Sequence, residues 1–154
     1  MRLILLCIGR LRASAESVLA KDFAARATAV GRAVGLGPVE IVELAPRKSG
    51  KAAEGEAILD RLGGATLIAL DEHGQTVDSR AFAALLAARR GAGASALAFA
   101  IGGAEGLAPS VTRAAGQVLS LGPMTWPHGL ARAMLAEQIY RAATILTGGP
   151  YHRG

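Results

Sequence analysis

Apolar and polar positions fall into blocks along this chain. Arg2 to Ile8, Thr66 to Leu70 and Ala96 to Ile101 are apolar at nearly every position. Runs of this length predict strands buried on both faces of a parallel sheet. Val118 to Leu121 is a shorter run of the same kind. Val39 to Leu44 alternates apolar and polar residues, which predicts a strand with one exposed face at the sheet edge.

Helical patterns fill the gaps. Ser14 is placed to cap a helix on which Val18, Phe23, Ala27, Val30 and Val34 recur at near-helical spacing, and Gly35 and Gly37 end it. Ala52 to Leu62 predicts a shorter helix. Asp78 or Ser79 caps another, with Phe82, Leu85 and Leu86 on one face. Pro109 to Ala115 predicts a brief one. Gly129 to Thr147 carries a broad apolar face of Leu130, Met134, Leu135, Ile139, Ala142, Ile145 and Leu146, wide enough for a second subunit as well as the core. Strand and helix alternate throughout, which predicts one α/β domain over residues 1–154, with a mainly parallel sheet and helices on both faces.

Composition adds that the core is aliphatic: 51% of residues are hydrophobic and only 4% aromatic. With 17 Lys and Arg against 12 Asp and Glu, the formal charge is 17 − 12 = +5, so a polyanion such as nucleic acid is a candidate partner. Arg10, Arg12, Arg47, Lys48 and Lys51 could meet phosphates, or could be solvated charge alone. Cys7 is the single cysteine and sits in an apolar run, which predicts a buried thiol rather than a disulfide or a nucleophile. The six apolar residues from Leu3 to Ile8 are too few to span a membrane, and no cleavage pattern follows them, so a cytoplasmic protein is expected.

In open α/β sheets ligands sit outside the carboxyl ends of the strands. Three loops qualify: the polar turn after Leu70, Gly102 to Gly106, and Leu121 to Pro127. Gly50-Lys51 is followed by Ala52, so there is no Walker A loop. The first strand lacks a Gly-x-Gly-x-x-Gly sequel, and no Gly-x-Ser-x-Gly elbow occurs. Three scattered histidines and one cysteine do not give a zinc-ligand spacing, and no metal is expected. The two prolines, Pro123 and Pro127, should stiffen the last loop, so that it can present fixed backbone donors and acceptors.

Four segments carry a family resemblance: Leu70-Asp71-Glu72-His73-Gly74; Phe99 to Leu107 around Gly102-Gly103; Leu119 to His128; and Glu137 to Ala142 with the closing Pro150-Tyr151-His152-Arg153. Together they resemble the ribosomal RNA large subunit methyltransferases of type H, minimal members of the SPOUT (trefoil-knot) methyltransferases. Arg10 and Trp126 depart mildly, where the family more often has lysine and a smaller apolar residue or phenylalanine. The resemblance implies a C-terminal trefoil knot, a homodimer, S-adenosylmethionine as methyl donor, and N3 methylation of a pseudouridine in 23S rRNA of the assembled ribosome. It also implies cofactor contacts from Leu70, Gly102, Gly103, Leu121, Gly122, Pro123, Met124, Thr125 and Trp126. Catalytic and RNA-side roles would fall to His128, Tyr151, His152 and Arg153. Histidine is the side-chain type whose ordinary titration range suits removal of the N3 proton. The alternative is a non-enzymatic ribosome- or RNA-binding α/β protein, which would bind RNA salt-sensitively but would not bind S-adenosylmethionine.

Overall fold

The computed structural model describes residues 1–152. Five strands, β1 (Arg2–Ile8), β2 (Val39–Leu44), β3 (Thr66–Thr76), β4 (Ala96–Ile101) and β5 (Gln117–Ser120), form one sheet in the order β2-β1-β4-β3-β5. Every pairing is parallel. The alternating segment Val39–Leu44 is an edge strand, as its pattern predicts.

The apolar runs are buried on both faces for a simple reason. Leu3, Leu5, Cys7, Leu97, Phe99 and Ile101 point to one side, against α1 (Ala15–Gly31), α3 (Ser79–Gly91) and α5 (His128–Thr147). Ile4, Leu6, Ile8, Ala98 and Ala100 point to the other, against α2 (Lys51–Asp60) and α4 (Pro109–Ala114). Chain steps from β1 to β2 and from β3 to β4 run one way along the sheet, with their helices on the first face. Steps from β2 to β3 and from β4 to β5 run the other way, with helices on the second face. All four crossovers therefore share one hand, as twisted parallel sheets require.

Two elements differ from the sequence pattern. On α1 the buried stripe is Ser17, Ala20, Ala24, Ala27 and Gly31, while Val18 is 67% exposed and Leu19 46%. The small residues win the inner face because α1 lies closely along α5, a helix that itself buries small residues such as Gly129, Ala133, Ala136 and Ala143. Residues Asp71 to Gly74 are not a terminal turn: they bulge out of β3, and Gln75 and Thr76 rejoin β5 opposite Leu119 and Ser120. Glycine is needed at position 74 because a Cβ there would sit 2.5 Å from the Leu119 carbonyl carbon. Among the described residues, no helix is long and apolar enough to cross a membrane.

Phe99 lies at the centre of the first layer, fully buried, with the Phe82 ring 5.9 Å away. Phe99→Ala should cost about 3–5 kcal/mol, read from urea unfolding. Cys7 is fully buried as well, and burial pushes its thiol up from 9.0 to about 12. Arg132 opposes that shift and Glu43 adds to it. The native thiol thus holds its proton where the unfolded thiol loses it. Stability from this group is full below pH 9 and falls as pH rises from 9 toward about 12. Unfolding midpoints between pH 8 and 11, compared with Cys7→Ala, will show the wild type losing stability faster.

Candidate functional site

The carboxyl ends of β3, β4 and β5 meet in a crevice, because the loop after β4 departs to one face and those after β3 and β5 to the other. Each loop is held by its own sequence. Gly102 to Gly106 folds back on itself through a Gly103–Gly106 bridge, with the Gly106 N–H donating to the Gly103 carbonyl at 3.1 Å. A Cβ on Gly102 would sit 2.6 Å from the Gly106 carbonyl carbon. One on Gly103 would meet Glu54 Oε2 at 3.1 Å and Ile8 at 3.2 Å.

After β5, the Ser120 hydroxyl donates to the Gly122 carbonyl at 2.8 Å and accepts the Gly122 N–H at 3.1 Å. Further along, Thr125 Oγ1 donates to Glu72 Oε2 at 2.9 Å, which ties the loop after β5 to the bulge of β3. Within the bulge, the Asp71 carboxylate accepts the His73 N–H at 2.9 Å and lies 3.1 Å from the His73 ring nitrogen.

These loops enclose a cavity of about 720 Å³. Leu70, Gly102, Gly103, Leu121, Gly122, Met124, Thr125 and Trp126 line it, so eight of the nine expected cofactor contacts converge there. Pro123 is not among the lining residues. His128, at the first turn of α5, also lines the cavity. The sequence reading placed Asp71, Glu72, His73 and Glu105 in candidate ligand loops without giving them individual roles, and it did not place Ala131 or Lys51 on this wall. The signal for Asp71 and Glu72 was available: a pair of carboxylates directly follows an apolar strand run, at a strand's carboxyl end.

Of the residues expected to be catalytic, His128 and Tyr151 stand apart within one chain. Tyr151 docks on the far part of α5. Its hydroxyl donates to Glu137 Oε1 at 3.1 Å, its ring packs 4.5 Å from that of Tyr140, and the Arg141 guanidinium lies 4.9 Å over it. Burial and the neighbouring Glu137 carboxylate raise the Tyr151 hydroxyl above its ordinary range. Nine residues separate His128 from Glu137, about 13 Å along the helix axis. Arg153 and the His152 side chain lie outside the described residues.

The basic candidates share one end of the molecule. Arg10 and Arg12 follow β1, Arg47 and Lys48 follow β2, and Lys51 opens α2. In a parallel sheet these are all carboxyl-end positions, so the cations stand on the same side as the cavity. Arg10, Arg12, Arg47 and Lys48 are exposed.

A second cavity, also of about 720 Å³, adjoins the first and shares Leu70, Ser120, Leu121 and Gly122 with it. Its remaining wall is largely apolar, with Leu19, Phe23, Leu130 and Met134 from α1 and α5. Leu130 is 38% exposed.

The sequence model of a family described as "Predicted SPOUT methyltransferase" matches residues 1–152. A protein of Caulobacter sp. (strain K31) named "Ribosomal RNA large subunit methyltransferase H" is 56% identical over 153 residues, 99% of each chain. One of the same name from Phenylobacterium zucineum is 54% identical, again over 99% of each. Among solved structures, a probable methyltransferase from Bordetella pertussis Tohama I superposes with a TM-score of 0.54 at 18% identity, covering 92% of this chain and 96% of that one. A probable methylase family protein from Haemophilus influenzae Rd KW20 gives 0.55 at 13% identity, over 97% and 69%. Those two likenesses concern the fold. Sequence, carried over the full chain, decides the rest: this protein belongs to the SPOUT methyltransferase family.

Proposed function

We propose that this protein transfers a methyl group from S-adenosylmethionine to N3 of a pseudouridine in 23S rRNA of the assembled ribosome, acting as a cytoplasmic homodimer. The observation that carries the reading is the convergence of three strand-end loops on one cavity, with exposed cations on the same end of the sheet. The names borne by the relatives in Caulobacter and Phenylobacterium point the same way. The trefoil-knotted crossing that the family implies belongs to this reading too.

The residues present fit the cofactor. A cavity of about 720 Å³ is of the size that small ligands take, roughly 300–1,000 Å³. Gly102, Gly103 and Gly122 bring side-chain-free backbone to its wall, beside Leu121. Leu70, Met124 and Trp126 supply apolar wall for a base, and the Asp71, Glu72 and Glu105 carboxylates suit a cationic ligand. When bound, the cofactor supplies an electrophilic methyl group.

The protein's own residues have two tasks. N3 of a uracil ring is an imide N–H and is a poor nucleophile until its proton leaves, so the base must be aligned and the proton accepted. His128 stands on the cavity wall at the start of α5, where an incoming base would arrive. Tyr151, held at Glu137, stands away from its own chain's cavity, so we assign it, together with the adjoining His152 and Arg153, to the cavity of a partner subunit. The uncovered apolar groove of Leu19, Leu130 and Met134, continuous with the cofactor cavity through Leu121 and Gly122, is the surface for that partner. Arg153 in that setting would meet a phosphate or the carbonyls beside N3.

The test is titration calorimetry with S-adenosylmethionine, followed by transfer of labelled methyl from it to unmethylated ribosomes and to free 23S rRNA. Saturable cofactor binding and labelling of ribosomes at pseudouridine N3 are expected. Salt-sensitive RNA binding with no cofactor binding at millimolar concentration would replace this reading with the non-enzymatic one.

A further inference from the structure

One cluster, built around a buried arginine, belongs to neither cavity and has no task in the chemistry above. Arg132, on the second turn of α5, is 1% exposed. Its Nη2 donates to the Ile8 carbonyl at 2.5 Å and the Gly9 carbonyl at 2.9 Å, and its Nη1 to Glu43 Oε1 at 3.0 Å. That same Glu43 oxygen, on the edge strand β2, accepts the Leu11 N–H at 2.8 Å. Leu11 in turn packs on the first turn of α5, with its Cδ2 3.3 Å from where a Cβ on Gly129 would be. Gly9, at φ 84°, makes the bend that starts this loop.

Arg132 gives up its water to make this pair while Glu43 stays partly in solvent, with side chains 1% and 32% exposed, so the pair adds little stability over a well-packed apolar side chain. Arg132 Nε even remains without a hydrogen-bond partner among the described residues. What a guanidinium fork does, and an apolar side chain cannot, is fix several backbone groups at set angles. Here it joins three segments: the end of β1, the end of β2 and the start of α5. The loop it grips, Gly9 to Arg12, bears two exposed arginines. The helix it sits on begins with His128 at the cavity wall.

We propose that the Arg132–Glu43 clamp is a positioning device for the RNA side of the site. It holds Arg10 and Arg12 in a preordered loop at a fixed offset from His128 and the cavity mouth. Phosphate contacts made from an ordered loop lose less entropy on binding than contacts from a mobile one. The clamp therefore acts on the RNA substrate and leaves the cofactor alone. The proposal rests on the ribosomal RNA reading given above.

The test uses the full chain, with Glu43→Gln, Glu43→Leu and Arg132→Met. Glutamine keeps an acceptor for both Leu11 and Arg132, whereas leucine keeps the volume without it. Glu43→Leu and Arg132→Met should raise the KM for unmethylated ribosomes about tenfold and flatten its salt dependence, as ordered phosphate contacts are lost. Their S-adenosylmethionine affinity should stay within about twofold of wild type, because nothing in the clamp lines the cavity. Glu43→Gln should restore the ribosome KM. If Arg132→Met does not fold, the Glu43 pair still decides. Equal KM and salt slope for Glu43→Leu and Glu43→Gln would overturn the clamp. Parallel loss of cofactor and ribosome binding in Glu43→Leu would make it merely structural and would overturn it too. A wild type that binds the cofactor but methylates no ribosomes would instead overturn the substrate reading, and this proposal with it.

Discussion

Gly102→Ala is expected to bind S-adenosylmethionine about 10- to 100-fold more weakly than wild type, the effect of overpacking by one methyl against a rigid neighbour. The added Cβ would lie 2.6 Å from the Gly106 carbonyl carbon, 2.8 Å from its oxygen and 2.9 Å from the Leu107 nitrogen. All three are backbone atoms of the same loop, so no side chain can swing aside to make room. The loop must open, and the wall that it gives to the cavity moves with it. Gly103→Ala should be milder, because two of the atoms it meets belong to the Glu54 carboxylate, the end of a flexible side chain. Gly91→Ala is the control, since a Cβ there has nothing within 4 Å and the residue ends a helix. It should bind the cofactor as wild type does. Calorimetry on all three, with melting curves to confirm folding, separates a local closure of the pocket from global damage. Undiminished binding by Gly102→Ala would mean that the loop after β4 is not part of the cofactor site.

Leu130→Glu is expected to convert the protein to a monomer of 15.7 kDa and to abolish methyl transfer while cofactor binding survives. Leu130 is 38% exposed and stands on the rim of the apolar groove beside Leu19 and Met134. A carboxylate buried there against a second subunit would lose its water with no cation in the groove lining to meet it. As Leu130 already touches solvent in one chain, the monomer itself should fold normally. Sedimentation velocity reads the mass directly.

Mixing two impaired variants, at a cofactor concentration too low to fill the Gly102→Ala site, makes the same point through activity. A dimer of one Gly102→Ala chain and one Tyr151→Ala chain keeps one site in which an intact cavity faces an intact tail. Random exchange of subunits should then recover about a quarter of wild-type activity, because half the dimers are mixed and each holds one good site of two. No recovery after subunit exchange would place Tyr151 with its own chain's cavity.

Most of the scaffold was legible in the sequence. Unbroken apolar runs such as Leu97 to Ile101 can be satisfied only between two helical layers, and the alternating Val39–Leu44 only at an edge. The loops around the cavity were legible for a related reason: glycines and prolines at the carboxyl ends of such strands mark where a backbone can approach a ligand. Less of the rest could be read. Val18 looked like a core residue because helical periodicity shows a stripe but not which stripe faces inward. Only the neighbouring helix decides that, and α5 selects the alanines. The return of Gln75 and Thr76 to β5 depends on a partner 44 residues further on in each case, which no local pattern encodes. Arg132 sits within an apolar helix face and has its acceptors on β1 and β2, so its burial follows from tertiary contacts alone. The tail residues were grouped with His128 by the family resemblance, and the length of α5 keeps Tyr151 from it within one chain.

The bond from Arg132 to Ile8 spans 124 residues of chain. It fixes when, as well as where, this protein becomes itself. During synthesis at about 5–20 residues per second, β1 is made first and must wait for nearly the whole chain before α5 arrives to cover it. Until then Leu3, Leu5, Cys7 and Phe99 lack Leu135, Ala136 and Ile139 as neighbours. A nascent chain halted before position 128 would hold all five strands but show the greasy face that α5 covers to chaperones and proteases, and would have no rim of His128 on its pocket. Premature products should thus be cleared as misfolded rather than linger as competitors for the ribosome. The full-length chain gains its shape and its working centre in the same late step.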